Sequence, residues 1–462
     1  MRRYTRCTAL AVTILGVLAA AGCSRDTEGL EPAPFSTDPV VFDDTFGDNV
    51  DYQAFMGSDF EAISIDSEVR RSGTASLKVT VPDAGSGYAG GAMTTSEPRD
   101  LSGYDALTFW ARASKPVDLN VAGLGNDNTG TSLYTAQWEA FRIGMDWGRF
   151  IIPIPLPERL SAEGGLFFFA EDAEGTEGHE IWFDDILFEK LEPGTVTDPR
   201  PSMTSGTYNA FVGSEIYASG TTTIFSVGGE DRTIIHMPRY FTYYSSADSV
   251  VEAGGEVVSA VGPGTAEVTA SLGAEPASGL LTVEVSDAPS LPAPAPTVPA
   301  SNVISMFSGA YTDITVDTWS ADWPDMADVQ DFRVSGNLVK AYTNLFYAGI
   351  TFENDQIDAT NMDFFHIDVW VPEGVTFFKV KLVDFGEDGA YLGAPDSERE
   401  LTFDAASDPP LVTGEWTSLD VPIEDFMNGP NGLFARAHLA QMIISGHGNT
   451  AFVDNIFFYR TD

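Results

Sequence analysis

The stretch Phe183-Asp-Asp-Ile-Leu-Phe188 recurs in a related form, with three of six residues identical, as Val453-Asp-Asn-Ile-Phe-Phe458 near the end of the chain. Both stretches consist mainly of aromatic and aliphatic side chains, which favour β-strands. Three earlier blocks also recur in the same order, at similar offsets of 262, 258 and 269 residues. They begin at Leu77, Tyr104 and Trp147 in one part of the chain and at Val339, Met362 and Trp416 in the other. The chain therefore contains two copies of one unit.

The rest of the chain has the same character. Short apolar runs such as Phe150-Ile-Ile-Pro-Ile154 and Phe377-Phe-Lys-Val-Lys-Leu382 are separated by Gly, Asp, Asn and Pro. Beyond the N-terminal segment, no stretch has a convincing helical period. Many short strands between turns predict an all-β protein built of β-sandwiches.

Two segments rich in Pro and small residues, 192–206 and 286–301, are predicted linkers. The second, SDAPSLPAPAPTVPAS, should form an extended, semi-rigid polyproline II spacer. The linkers divide the chain into a first copy (40–191), a middle piece (207–285) and a last copy (302–460).

The first copy contains a strand near Leu107, a Trp followed by a strand that ends in Pro, and the terminal strand 183–188. With these blocks, which recur in the last copy, both copies resemble carbohydrate-binding modules with a galactose-binding-like jelly roll. The last copy is similar to the modules appended to secreted laminarinase-type glycoside hydrolases, over the segments 303–311, 319–323, 364–370 and 452–458. The resemblance implies two non-catalytic jelly-roll β-sandwiches.

The middle piece resembles a bacterial immunoglobulin-like domain of group 2. The matching stretches start at Tyr244, Val261 and Leu280, and Gly262-Pro-Gly264 supplies a tight turn between strands. The resemblance implies an immunoglobulin-like β-sandwich that separates the two jelly rolls as a spacer.

The N-terminal segment has the pattern of an export signal. Three arginines precede the apolar stretch 7–20, which is too short to span a bilayer. The segment ends in Ala20-Ala-Gly-Cys23, which resembles a bacterial lipobox and implies removal of residues 1–22, lipidation of Cys23 and a tether over 23–39. An ordinary secretory signal with a chance Cys is the alternative. The absence of Asp after Cys23 resembles an outer-membrane sorting signal, so we expect an outer-membrane lipoprotein, either at the cell surface or facing the periplasm.

Charge and motifs exclude several classes of function. The chain has 68 acidic and 24 basic residues, a net charge of −44, which repels nucleic acid and anionic lipid, so membrane contact is expected through the lipid anchor alone. If Cys7 is removed and Cys23 is lipidated, no thiol remains for disulfide, zinc or nucleophile chemistry. The chain has no HExxH, Gly-x-Ser-x-Gly or phosphate loop, and Glu180–Asp184 lacks the spacing of laminarinase-type acids. We predict that the protein is not an enzyme.

Sugar rings stack on aromatic faces, and amides and carboxylates bind their hydroxyls. Aromatic and amide residues in loops or polar stretches are therefore candidate carbohydrate-binding residues. They are Tyr88, Asn126, Tyr134, Gln137 and Trp138 in the first copy, and Trp319, Trp323, Tyr347 and Tyr391 in the last copy. Each aromatic could instead fill the core or pack a loop.

The jelly-roll resemblance also implies a structural Ca²⁺ that joins the first and last strands, and oxygen ligands suit that ion. It places one ligand at Asp184 and one at Asp454, and Asp43 or Asp44 of the opening strand could meet Asp184. Alternatively, these residues cap a strand or accept hydrogen bonds from turn amides.

The sequence thus predicts a glycan-binding lipoprotein that captures a polysaccharide, with a neutral β-glucan favoured, for separate hydrolases and outer-membrane importers. Two weak sites on one tether would gain avidity if the spacing lets both engage. The alternative is a surface adhesin or envelope-assembly lipoprotein that binds protein partners.

The substitution Cys23→Ser tests the anchor. It should remove acylation and shift the protein from the membrane fraction to the soluble fraction, because no other segment is apolar enough to hold it there. Fractionation followed by immunoblotting measures the shift. Equal membrane retention of the variant and the wild type would contradict the prediction.

Overall fold

The computed structural model describes residues 34–173, 175–392, 395–428 and 432–461. The predicted signal, Cys23 and most of the tether lie outside these ranges. Within them the chain forms β-strands, four 3₁₀ turns and a five-residue helix, α1 (Ile423–Met427). No helix in the described ranges has the length and apolarity to cross a membrane. The all-β prediction is confirmed.

The first copy is a sandwich of two antiparallel sheets. One sheet has the order β10-β7-β12-β1-β2, with β5 beside β12 and β4 beside β5, and the other contains β9-β8-β11-β6-β3. Phe109, Phe167 and Phe183 meet edge to face between them. The strands are β1 (Val40–Asp43), β2 (Thr45–Phe46), β3 (Val50–Ala54), β4 (Ile63–Asp66), β5 (Ser76–Val81), β6 (Ala89–Arg99), β7 (Ala106–Ala113), β8 (Val117–Leu124), β9 (Ala136–Ile143), β10 (Gly148–Pro153), β11 (Glu163–Glu171) and β12 (His179–Glu189).

The following segment forms two further small sheets, β14-β23-β21-β18, with β22 beside β21, and β15-β20-β19. Its strands are β13 (Val196–Ser202), β14 (Gly206–Phe211), β15 (Glu215–Ile216), β16 (Thr222–Val227), β17 (Glu230–His236), β18 (Thr242–Ser245), β19 (Val251–Ala253), β20 (Val258–Ala260), β21 (Gly264–Leu272), β22 (Glu275–Pro276) and β23 (Leu281–Ser286).

Three strands of this segment join the sheet of the first copy. β17 pairs with β9, and β16 and β13 extend the sheet beyond it. The segment 192–206, which we predicted as a linker, therefore contains strand β13. Its prolines Pro199 and Pro201 are compatible with a strand at a sheet edge, where missing N–H groups cost no ladder bond. One hydrophobic core runs on from the first copy into the middle piece.

The last copy is organised by two long strands, β26 and β31, which pair along most of their length. β31 pairs with β28 through its first half and with β27 through its second half, so it serves both layers of the sandwich. Register shifts near Leu345 mark bulges, which bend long strands in this way. The strands are β24 (Val303–Phe307), β25 (Asp328–Val334), β26 (Asn337–Thr351), β27 (Phe364–Trp370), β28 (Phe377–Asp384), β29 (Ser397–Asp404), β30 (Trp416–Pro422) and β31 (Leu439–Tyr459).

The predicted Pro-Ala spacer lies against the last copy. The indole N–H of Trp416 donates to Leu291 O at 2.8 Å, and the side-chain Nδ2 of Asn455 donates to Pro294 O at 3.0 Å. Next to it, Phe211 of β14 packs edge to face on Phe452, with ring centroids 4.9 Å apart. The middle piece thus contacts the last copy directly.

The pH dependence of stability tests the packing where β17 pairs with β9. His236 is buried there, with Nε2 at 3.0 Å from Thr223 Oγ1 and Nδ1 at 3.0 Å from Met237 O. Burial lowers the pKa of His236 to about 4, whereas an unfolded His titrates near 6.5. As the pH falls, the unfolded chain therefore protonates His236 before the native state does. The contribution of His236 to the free energy of unfolding is fully present above about pH 6.5 and is lost as the pH falls towards 4.

We expect the melting temperature of the wild type to drop more between pH 7 and pH 4.5 than that of His236→Gln. Up to roughly 3 kcal/mol of unfolding free energy is involved. Calorimetry of both proteins isolates this histidine from other titrating groups. Equal drops in the two proteins would show that His236 does not couple folding to pH.

Candidate binding groove

A groove of about 890 Å³ lies on the last copy. Strands β26, β31, β28 and β29 form its floor side by side, through the pairs Tyr347 with Ser445, Ser445 with Lys379, and Lys381 with Glu400. The segment around Trp323 and the loop that carries Tyr391 border it.

The alternation of β28 explains why polar groups face the groove. Phe378, Val380 and Leu382 are buried in the core, so the residues between them point to the opposite face. Those residues include Lys379 and Lys381, which line the groove.

An aromatic cluster forms one end of the groove. The rings of Trp323 and Tyr347 lie 6.3 Å apart, and the Tyr347 hydroxyl donates to Pro324 O. The indole rests directly on Gly349, where a Cβ would overlap it, so only glycine fits at that position. Phe346 adds a ring that is 57 % exposed.

Tyr391 stands at the other end. Its ring is 61 % exposed and lies 5.5 Å from the buried Phe385. Lys379 shares a cross-strand row with Tyr347, and Val383 lies roughly 13 Å farther along β28. Because the loop of Tyr391 follows β28, Tyr391 lies towards the Val383 end of the floor and Tyr347 towards the Lys379 end. The Lys381 row, where Trp323 rests on Gly349, lies between them.

Charged side chains on the floor are paired with one another. Lys379 Nζ lies 2.7 Å from Glu400 Oε1, and Lys381 Nζ lies 3.0 Å from Glu398 Oε1. Gln441 donates to Glu353 Oε1 at 3.0 Å. The floor thus offers both donors and acceptors, which suits ligand hydroxyls, while neither lysine is left as an uncompensated charge.

Three predicted binding residues meet in this groove, namely Trp323, Tyr347 and Tyr391. Trp319 does not line it. The Trp319 ring packs edge to face on Phe307 at 5.4 Å, with the Lys340 ammonium 4.8 Å from its centroid. Packing, the alternative named above, accounts better for Trp319.

In the first copy, Trp138 and Tyr134 lie at the seam with the middle piece. Trp138 stacks on Phe141 at 4.2 Å, and the guanidinium of Arg232 lies 4.7 Å from its ring. Tyr134 donates to Glu256 Oε2 at 2.5 Å. The contacts of Trp138 use the aromatic face that sugar binding would need, and Tyr134 is held by its hydroxyl and packs edge to face with Tyr240. The structure therefore places both residues in packing roles.

The other candidates of the first copy make local contacts. Gln137 donates to Glu139 Oε1 at 2.6 Å, and Asn126 Oδ1 accepts from the Asn128 amide at 2.9 Å. The half-buried Tyr88 donates to Met56 O at 3.2 Å. The structure does not bring these three residues together with Trp138 in one groove.

Backbone amides surround the predicted metal ligands. Asp184 is fully buried, and its Oδ2 accepts from the Arg71 amide at 2.7 Å and its Oδ1 from the Asp185 amide at 2.9 Å. Burial raises the pKa of Asp184. The exposed Asp43 also has a raised pKa, through partial burial and then the nearby carboxylates of Asp185 and Asp44.

Asp454, only 2 % exposed, accepts from the Asn337 side chain and the Asn455 amide, each at 2.7 Å. Burial raises the pKa of Asp454 to about 6. Among the described residues, no three His, Cys, Asp or Glu side chains are grouped so that they could hold a metal ion. Asp184 and Asp454 thus accept amide hydrogen bonds, as the alternative expects, and the metal stays a prediction.

Several residues that line the groove are not among the binding residues predicted from the sequence. The alternation within Phe377–Leu382 could have revealed the outward lysines, because it is visible in the sequence. The others require the strand register, which brings distant segments together. The missed residues are Phe346, Glu353, Phe377, Lys379, Lys381, Glu398, Glu400 and Gln441.

Comparison with known proteins gave no match to a family model and none to a curated protein. The solved structures with some similarity include carbohydrate-binding modules. A family 30 module from Clostridium thermocellum is 16 % identical over 34 % of this chain and 96 % of its own, with a TM-score of 0.24. A family 11 module from the same organism, in complex with a β-1,3-1,4-mixed-linked tetrasaccharide, is 12 % identical over 34 % and 97 %, with a TM-score of 0.25.

A tandem of two family 22 modules from Paenibacillus barcinonensis Xyn10C is 10 % identical over 89 % of this chain and 93 % of its own, with a TM-score of 0.21. At these identities and TM-scores, the function of this chain must be argued from its own residues.

The substitution Asp454→Asn distinguishes two roles for this residue, as an acceptor of amide hydrogen bonds or as a ligand of Ca²⁺. Because the pKa of Asp454 is raised from 3.8 to about 6, its ionised form at pH 7.5 destabilises the native state unless a cation compensates it. We expect the variant to melt at a higher temperature than the wild type at pH 7.5, and chelator to change neither.

Thermal melts with EDTA and with added CaCl₂ provide the measurement. A melting temperature of the wild type that falls on chelation, together with loss of this response in Asp454→Asn or Asp184→Ala, would instead establish calcium in that copy.

Proposed function

We propose that this protein is a non-catalytic glycan-binding protein and that the groove of the last copy is its binding site. The convergence of Trp323, Tyr347 and Tyr391 on one groove carries this proposal. All three are candidates from the sequence alone, where they lie in separate segments. Donors and acceptors between them complete the surface that a polysaccharide requires.

A neutral polysaccharide fits this groove best. Aromatic rings stack on the C–H faces of sugar rings, and the Lys–Glu pairs can share their hydrogen bonds with hydroxyls. An anionic chain would meet Glu353, which lies outside the two Lys–Glu pairs, as well as the overall net charge of −44. The resemblance of the last copy to modules of laminarinase-type hydrolases favours a β-glucan.

The first copy and the middle piece are better suited to a supporting arm than to a second site. Their shared sheet and the covered ring of Trp138 support this assignment. With one site, capture does not depend on avidity between the two copies. Anchored through Cys23 at the outer membrane, the arm would present the groove to polysaccharide for separate hydrolases and importers.

The alternative is an adhesin or envelope-assembly lipoprotein that binds protein. A groove with aromatic ends and a polar floor favours sugar, whereas a flat apolar patch would favour a protein partner.

Native gels containing laminarin test the proposal on the chain without its signal segment. We expect the wild type to be retarded and Tyr391→Ala to be retarded severalfold less, since stacking contributes about 0.5–1.5 kcal/mol. Trp323→Ala should weaken binding further because it also disturbs Tyr347. Retardation should persist at high salt, since a neutral sugar makes no ion pairs to screen.

Tyr217→Ala is the matched control, because Tyr217 is similarly exposed but lies in the middle piece. It should bind like the wild type, as should Trp138→Ala if it folds. Binding lost in Trp138→Ala and kept in Tyr391→Ala would move the site to the first copy. Absence of binding to a broad glycan panel, with capture of a defined envelope protein, would support the adhesin alternative.

A further inference from the structure

The loop that carries Tyr391 is held by a buried network outside the groove. Asp384, at the end of β28, is fully buried. Its Oδ1 accepts from the Gly386 amide at 2.9 Å, and its Oδ2 accepts from the His438 amide at 2.8 Å. This carboxylate ties the start of the loop to the segment that precedes β31.

Gln356 anchors the loop a second time, nearer to Tyr391. Its Nε2 donates to Gly389 O at 2.8 Å, and its Oε1 lies 3.1 Å from His438 Nδ1. A glutamine serves both contacts because its amide carries a donor and an acceptor, so the histidine nitrogen must carry the proton. Gly389, with φ of 63°, permits this approach, because a Cβ there would lie 3.1 Å from Gln356 Oε1.

The anchored carbonyl lies two residues before Tyr391, whose ring also packs near Phe385. Gln356 itself does not line the groove. Its contacts therefore act on the ligand-facing surface only through the loop. Without them the loop would sample more conformations, and ordering Tyr391 against a ligand would cost conformational entropy.

We propose that Gln356 is a positioning residue that fixes Tyr391 as the far end of the groove, so that the site selects glycan chains long enough to reach both aromatic ends. This inference rests on the proposed function. A short oligosaccharide can contact the Trp323–Tyr347 end alone, whereas a longer one also stacks on Tyr391. The increase in affinity with the length of the oligosaccharide then depends on Gln356.

Calorimetric titration of the full chain without its signal segment tests this inference with a laminarin-derived disaccharide and hexasaccharide. The wild type should bind the hexasaccharide more tightly. Gln356→Ala should lose about two- to tenfold in hexasaccharide affinity and little in disaccharide affinity. Tyr391→Ala should show the same pattern, and the double variant should lose no more than Tyr391→Ala alone.

Gln356→Glu keeps the acceptor for His438 and removes the donor to Gly389, so it should reproduce the length-specific loss even if the alanine variant folds poorly. Gln330→Ala, on an exposed edge strand, is the matched control.

If the Gln356 variants lost equal affinity for both oligosaccharides, or if their loss added to that of Tyr391→Ala, Gln356 would have a general structural role and the inference would be overturned. A wild type without length preference, or unchanged binding in both Gln356 variants, would overturn it as well. A wild type that binds no glucan at all would instead overturn the proposed function.

Discussion

The pairing of β26 with β31 is the constraint on which the last copy depends. These two strands join both layers of the sandwich, and their register decides which side chains share the groove floor. Tyr347 reaches the floor beyond the bulges near Leu345, and Gly349 leaves room for the Trp323 ring. A single pairing thus sets the aromatic end and, through β28, the row of lysines.

The repeat explains why the two copies can share a fold and differ in role. In the first copy, the sheet edge at β9 is extended by β17, and Arg232 covers Trp138. In the last copy, the face with Trp323 and Tyr391 stays open. Edge pairing with the neighbouring segment therefore covers the first copy where the last copy stays open. The proposed division into a supporting copy and a binding copy is based on this difference.

Much of the architecture could be predicted from local sequence. Strand composition indicated the all-β class, and aromatic residues beside Gly and Asp pointed to Trp323, Tyr347 and Tyr391. Composition alone indicates a linker where the Pro-rich edge strand β13 lies, because composition does not reveal pairing partners. Trp138 looked available for the same reason, since its cover, Arg232, is distant in sequence. The pairing of the lysines with the glutamates could not be predicted, because it depends on the register between β28 and β29.

Hydrogen exchange of the full chain, with and without saturating laminarin, tests the central claim most directly because it reports the contacted segments without any substitution. The account predicts slower exchange in 320–327, 345–353 and 377–392, and no change in 134–142. Protection that is confined to 134–142, or that leaves the groove segments unchanged while laminarin is bound, would contradict it.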